Sequence, residues 1–228
     1  LMDTKRGVNE VACLGTQLTR PIDAIQLYRE VCDSGRKAHT MLFEAGHDGK
    51  GIDKTKVIVS SALLIECHGR QVRMKALNVN GQNALRHLET TLAGCGECTR
   101  LSVDELHVDY PLAPSEIDLE SVLRAPSPMS ALRGILENWC IQGNAKSKVL
   151  LTGIFSYDLA AVFEDLPDCQ IDTLEFPDFA FWLPDEIVEI DHVNQSTSIQ
   201  ILVFGGQTER LVHTAKKERL NELEAICS

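Results

Sequence analysis

The 228 residues predict an α+β fold in which antiparallel hairpins stand beside amphipathic helices. Two hairpin patterns carry that prediction. Val57 to Cys67 is a long apolar and β-branched run, and Val72, Met74 and Ala76 then alternate with Arg73 and Lys75 across the turn His68-Gly69-Arg70. Ile187 to His192 and Ser198 to Phe204 repeat the arrangement around Asn194-Gln195-Ser196-Thr197. The third observation is an absence: strands and helices do not alternate regularly, as a doubly wound parallel sheet requires.

The elements follow in chain order. Pro21 suits the first turn of a helix, because its missing N–H has no partner there, and Ile22, Ile25, Tyr28 and Cys32 mark one face. Thr40 to Glu44 reads as a short strand, and the polar stretch Gly46 to Lys54 as a loop. After the first hairpin, Ala84, Leu85, Leu88 and Leu92 form a helical stripe. Asp104 to Ser127 holds Pro111, Pro114 and Pro126 and reads as irregular. Ser127-Pro128 reads as an N-cap and first helical position, with Leu132, Ile135, Leu136 and Trp139 as the face behind it. Val149 to Tyr157 reads as a buried strand and Asp178 to Leu183 as another. Leu211, Leu220, Leu223 and Ile226 mark a last, highly charged helix.

Composition narrows the function. Asp and Glu total 33 against 22 Lys and Arg, a formal charge of −11, which disfavours a nucleic-acid partner because phosphate binding needs clustered cations. No apolar run approaches the ~20 residues of a membrane span, and Leu1 to Lys5 opens without the apolar run of a signal peptide, so a cytoplasmic location is expected. There is no glycine-rich phosphate loop, dinucleotide fingerprint, zinc-protease motif or nucleophile elbow. The eight cysteines read as free thiols. The one close pair, Cys95-Gly-Glu-Cys98, lies at the exit of a helix, without a second pair to complete a zinc site. The seven histidines read as surface or hydrogen-bonded residues. Asp104, Glu105 and Asp109 read as a charged loop, Glu164-Asp165 as a solvated strand end, and Asp158 as a turn anchor at the end of an apolar run.

Two blocks say more. Thr152 to Pro167 reads TGIFSYDLAAVFEDLP, and Phe176 to His192 reads FPDFAFWLPDEIVEIDH. They resemble the N-terminal region of anthranilate synthase component I, where a GLFSYDLVAGFEDLP-like block precedes PDFCFYL and VIDH. Leu42-Phe43-Glu44-Ala45 falls where that family has an LLES-type motif, and Ser61-Ala62-Leu63, Asn80-Gly81 and Ala131-Leu132-Arg133 align in order. Sister chorismate enzymes, such as aminodeoxychorismate synthase component I, usually differ at the FSYDL block.

The resemblance implies a single N-terminal region over residues 1–228, part of a four-layer α/β/β/α architecture with antiparallel sheets and flanking helices. It implies a C-terminal chorismate-binding half beyond Ser228 that holds the catalytic residues and Mg²⁺, so no catalytic or metal residue is expected in this chain. It implies a lyase that takes ammonia from a glutamine amidotransferase subunit, component II, and turns chorismate into anthranilate and pyruvate in tryptophan biosynthesis. It implies feedback inhibition by tryptophan, with Glu44, Ala45, Lys54 and Arg133 at inhibitor positions. Glu44 suits an ammonium, and Lys54 or Arg133 a carboxylate. The family's serine after the glutamate is Ala45 here, and its PDFCF-type cysteine is Ala180, so weaker inhibition is expected. Without the second half, an exposed apolar face and self-association are expected. The alternatives are a stand-alone, non-catalytic amino-acid-binding module, or part of a sister chorismate enzyme such as aminodeoxychorismate synthase component I.

Overall fold

The computed structural model describes residues 9–46, 51–112, 125–141, 144–162, 174–205 and 209–227. The elements are β1 (Asn9–Leu18), α1 (Ala24–Val31), β2 (Met41–Gly46), β3 (Ile52–His68), β4 (Gln71–Ala76), α2 (Val79–Leu92), β5 (Glu97–Arg100) and β6 (Glu105–Asp109). They continue with α3 (Met129–Asn138), β7 (Trp139–Ile141), β8 (Asn144–Lys148), β9 (Thr152–Phe155), β10 (Phe179–Asp191), β11 (Ser196–Val203) and α4 (Glu209–Cys227). The fold is α+β, as its hairpin patterns predict. Among the described residues the strands join in the order β5-β6-β4-β3-β10-β11-β1-β7-β8, with β2 also on β3 and β9 also on β10. Every pairing is antiparallel except that of β1 with β7.

The long strands β3 and β10 form the spine. Near its start β3 pairs with β2, and near its end with β4. Strand β10 pairs with β9 through Phe179–Trp182 and with β11 through Glu186–Asp191. Between these halves its register against β3 shifts around Pro184. A proline has no N–H for the ladder, so an irregularity is where it fits. Each half has its own core. Helices α1 and α4 cover one half, where Leu27, Val57, Val188, Ile190, Ile201 and Leu223 pack together. Helices α2 and α3 cover the other, over Leu63, Met74, Leu88, Leu106, Ile135 and Phe179.

Local chemistry sets the helices. The Asp23 carboxylate accepts from the N–H groups of Ile25 and Gln26, both at 2.9 Å, and starts α1. The expected opening at Pro21 is therefore displaced, and so is the face: Ala24, Leu27 and Val31 are buried, whereas Ile25 is exposed. Asn78 caps α2 by accepting from the Gly81 N–H at 2.9 Å. A Cβ on Gly81 would come within 2.0 Å of the Ala62 carbonyl oxygen, so only glycine lets α2 lie this close to β3. In α3 the cap residue is Pro128 rather than Ser127, and Trp139 already belongs to β7. In α4 Val212, Leu223 and Cys227 are buried, and Leu211 is exposed.

Other expectations need correction. Within the polar stretch Gly46 to Lys54, Gly46 ends β2 and Ile52 to Lys54 open β3, whereas residues 47–50 lie outside the described ones. Val149 to Tyr157 is not a buried strand: only Thr152–Phe155 is strand, and Ile154, Phe155 and Tyr157 are exposed because nothing among the described residues covers that side of β9. Asp158 is likewise exposed, in a short 3-10 turn where its N–H donates to the Ser156 hydroxyl at 3.2 Å. The stretch Asp104 to Ser127 contains β6. Pro114, Glu164 and Asp165 lie outside the described residues.

Where the two cores meet, the bulge of β10 buries a polar junction. Asp185 is 0% exposed, and its Oδ2 accepts from Asn78 Nδ2 at 3.1 Å and Asn80 Nδ2 at 3.0 Å. Lys216 Nζ of α4 lies 2.9 Å from the same oxygen and 2.7 Å from Glu186 Oε1. Arg219 Nε reaches Glu186 Oε2 at 3.3 Å. Buried carboxylates survive in a core only when paired in this way.

Candidate functional site

Helices α1 and α4 occupy one face of their sheet half. Side chains alternate along a strand, so the neighbours of the core residues point to the opposite face. There Lys56 sits across from Glu189, and Lys54 from Asp191, in the β3–β10 ladder. Lys56 Nζ lies 3.1 Å from Glu189 Oε2, and Lys54 Nζ 3.2 Å from Glu189 Oε1 and 3.5 Å from Asp191 Oδ2. Burial opposes the charge on Glu189, but hydrogen bonds from Lys56 and Lys54 outweigh it and hold the carboxyl below its ordinary range. The Glu189 carboxylate in turn holds the Lys54 ammonium above its own.

Beside these charges a cavity of about 560 Å³ opens between β2, β9 and the β3–β10 spine. Glu44, Ala45, Lys54, Lys56 and Glu189 contribute its polar and small lining, and Phe43, Leu150, Leu151 and Phe181 its apolar lining. That size, and an apolar wall with a few converging charges, suit a small organic ligand. The four charges on the lining are two carboxylates and two ammonium groups. Glu44 enters no ion pair among the described residues, whereas both lysines share Glu189. The cavity thus offers a carboxylate for a cationic group and two partly neutralised lysines for an anionic one.

Three of the four residues picked out in the sequence converge here: Glu44 and Ala45 from β2, and Lys54 directly across the ladder from Ala45. Arg133 does not line the cavity; it is exposed on α3, the helix that packs on α2. Sequence reasoning missed Lys56, Glu189, Phe181, Leu150 and Leu151. A usable signal lay in the i, i+2 spacing of Lys54 and Lys56 opposite Glu189 and Asp191, which becomes visible once β3 is begun at Ile52 rather than Val57.

Several other histidines and carboxylates singled out in the sequence are held by hydrogen bonds or ion pairs. His39 Nδ1 accepts from Trp182 Nε1 at 3.0 Å, and His192 Nε2 is 2.9 Å from the Thr55 hydroxyl. Glu105 holds His107 at 2.8 Å, and Gln82 holds Asp104 at 2.8 Å. Among the described residues no three His, Cys, Asp or Glu side chains converge as metal ligands, and no helix is long and apolar enough to cross a membrane.

An α+β scaffold with an amphipathic ligand cavity is the class these features define. No family model matches the chain. Curated proteins do match. Anthranilate synthase component 1 of Escherichia coli is 30% identical over 223 residues, 97% of this chain and 41% of that protein. The same component of Vibrio parahaemolyticus is 29% identical over 90% of this chain and 37% of its own length. The pyocyanine-specific anthranilate synthase component 1 of Pseudomonas aeruginosa is 35% identical over 85% of this chain and 36% of its own length. The resemblance carried by the FSYDL and FPDF blocks therefore stands: nearly the whole chain is similar to anthranilate synthase component 1. It spans roughly 36–41% of the length of these relatives.

Proposed function

We propose that this chain is the N-terminal regulatory part of an anthranilate synthase component 1, and that its cavity takes tryptophan as an inhibitor. One observation carries the reading: Glu44, Ala45 and Lys54, separated by up to ten positions in sequence, line a single cavity of ligand size. The Glu44 carboxylate pairs the ligand's ammonium. Lys54 and Lys56 attract its carboxylate, and the indole lies against Phe43, Leu150, Leu151 and Phe181. Ala45 contributes no hydroxyl, so this site holds tryptophan less tightly than one with serine there. Arg133, exposed on α3, acts on inhibition indirectly in this reading.

The chemistry belongs to the remainder of the enzyme. A C-terminal half binds chorismate and Mg²⁺, and a glutamine amidotransferase subunit supplies the ammonia. Together they release anthranilate and pyruvate in the cytoplasm as a lyase of tryptophan biosynthesis. Residues 1–228 are one region of that protein and are inactive alone. The test mixes the chain with a separately produced C-terminal half in chorismate, ammonia and Mg²⁺. Anthranilate fluorescence should appear only on mixing, and tryptophan should suppress it. Tryptophan binding with no activity on mixing would instead mark a stand-alone amino-acid-binding module.

A further inference from the structure

The Cys95-Gly-Glu-Cys98 pair is a motif the proposed function leaves unused. Its place in the fold is specific. Helix α2 ends in a tight turn in which the Cys95 and Gly96 N–H groups both donate to the Leu92 carbonyl, at 2.9 and 3.2 Å. Gly96 is pressed so closely on β6 that a Cβ would meet Val108 Cγ1 at 2.6 Å and the Asp109 carbonyl oxygen at 3.0 Å. The chain then enters β5, where Cys98 pairs with Val108. Both cysteines are half-buried and rest on the same core. A cavity of about 420 Å³ reaches Cys95 between Glu97, Asp109, Tyr110 and Pro126. Cys95 Sγ also lies 3.9 Å from the Tyr110 hydroxyl.

Among the other described thiols, Cys32, Cys67 and Cys227 are buried, and Cys13 is half-buried but has no cysteine close to it in sequence. Burial, and then Asp178, push the Cys67 thiol up to about 12, which leaves it inert at neutral pH. The Cys98 thiol is also raised, by burial first and then by Cys95 and Glu89.

We propose that Cys95 and Cys98 are a reversible dithiol–disulfide modification site, oxidised by low-molecular-weight disulfides of the glutathione class, with Cys95 as the entry thiol and Cys98 as the resolving one. Cys95 gives up its proton, and its thiolate attacks one sulfur of glutathione disulfide. The S–S bond of the reagent breaks, and one glutathione leaves as thiolate and takes up a proton. Cys98 then gives up its proton and attacks Cys95 Sγ in the mixed disulfide, releasing the second glutathione. The protein loses two hydrogens, and the reagent gains two. The product staples the end of α2 to the edge strand β5. The raised Cys98 thiol makes the second step slow at neutral pH and faster in mild alkali.

Both cysteines fall in one tryptic peptide, His87 to Arg100. The folded chain is incubated with glutathione disulfide at pH 8, quenched in acid, alkylated, digested and weighed. The expected result is a peptide two hydrogens lighter that resists alkylation and reverts in dithiothreitol, while Cys32, Cys67 and Cys227 stay free to alkylate after unfolding. Cys98→Ser should stop at one glutathione on Cys95, and Cys95→Ser should leave Cys98 unmodified. Phenylarsine oxide, which bridges two nearby thiols, should add once to the same peptide of the unsubstituted chain, a readout that requires no variant to fold. Two free thiols in that peptide, two separate glutathione adducts, or a bond from Cys95 to Cys67 would each overturn the proposal.

Discussion

Replacing Lys216 with methionine probes the buried junction that joins the two cores. Lys216 is 12% exposed at its side chain and lies 2.9 Å from Asp185 and 2.7 Å from Glu186. Methionine keeps most of the stem, so packing changes little and charge changes fully. Glu186 keeps Arg219 at 3.3 Å. Asp185 keeps only the amides of Asn78 and Asn80, and its Oδ1 already has no hydrogen-bond partner. Removing one member of a buried ion pair costs about 3–5 kcal/mol, against a total stability of ~5–15 kcal/mol. With a urea slope of about 1–3 kcal/mol/M, the unfolding midpoint should fall by at least about 1 M. Burial works against the Lys216 charge, but Asp185 and Glu186 outweigh it and raise the ammonium above its ordinary range. The stability it contributes is therefore complete below the unfolded value of about 10.4 and lost as pH rises through the folded one. The gap between the two proteins should stay constant from pH 6 to 9 and narrow in stronger alkali. Adding Asp185→Asn should recover part of the loss. A midpoint within about 0.3 M of the parent, at unchanged slope, would refute the assignment of Asp185 as the stranded charge.

Other perturbations follow from the cavity and its surroundings. Ala45→Ser should tighten tryptophan binding, measured by calorimetry, by roughly 10- to 150-fold, the worth of one hydrogen bond to a charged group; unchanged affinity would sink that role for position 45. Glu189 is held below its ordinary range, so its stabilising pairs persist above the unfolded carboxylate value and are lost as pH falls through the folded one. Lys56→Gln should therefore lose the most relative stability near neutrality and the least at the acid end of the folded range, below the lowered Glu189 value. The size should be at most about 1 kcal/mol because the pair is partly solvated; equal loss at both pH values would count against it. The exposed Ile154, Phe155, Tyr157 and Phe176 should make the chain self-associate and bind an apolar-surface dye. A clean monomer by light scattering at high concentration, without dye binding, is the contrary result.

Elements whose cause is local were legible in the sequence. The β3–β4 hairpin shows itself because Val72, Met74 and Ala76 are buried on one side while Arg73 and Lys75 stay wet. Strand β1 was not legible. It is embedded between β11 and β7, and its Gly15 sits 2.9 Å, by its absent Cβ, from the Ile199 carbonyl oxygen, a fit that only the partner strand explains. Strand β9 reads as buried from its apolar run, yet among the described residues it is paired on one side only, so composition alone misplaces it. The same division holds at the cavity. Glu44, Ala45 and Lys54 came through a family resemblance that covers contiguous segments. Lys56 and Glu189 meet because strands far apart in sequence fall into one register; the i, i+2 charge spacing on each strand hints at a shared face, but only the register joins the two.

Register is also what links the junction to the cavity. Along β10, Glu186, Val188 and Ile190 face α1 and α4, whereas Ile187 and Glu189 face the opposite side, where the cavities open. A slip of one residue would exchange the two sets, placing Glu189 in the core and Val188 beside Lys56. The bulge at Pro184 leaves the second half of β10 free to choose its register afresh. Asp185 and Glu186, clamped by Asn78, Asn80, Lys216 and Arg219, fix that choice immediately after the bulge. Apolar side chains of similar volume could fill the same space at no loss of stability, but they would not distinguish one register from the next as sharply as a buried charge that must find its partner. The polar junction thus places Glu189 on the cavity face from the far side of the sheet, without touching a ligand.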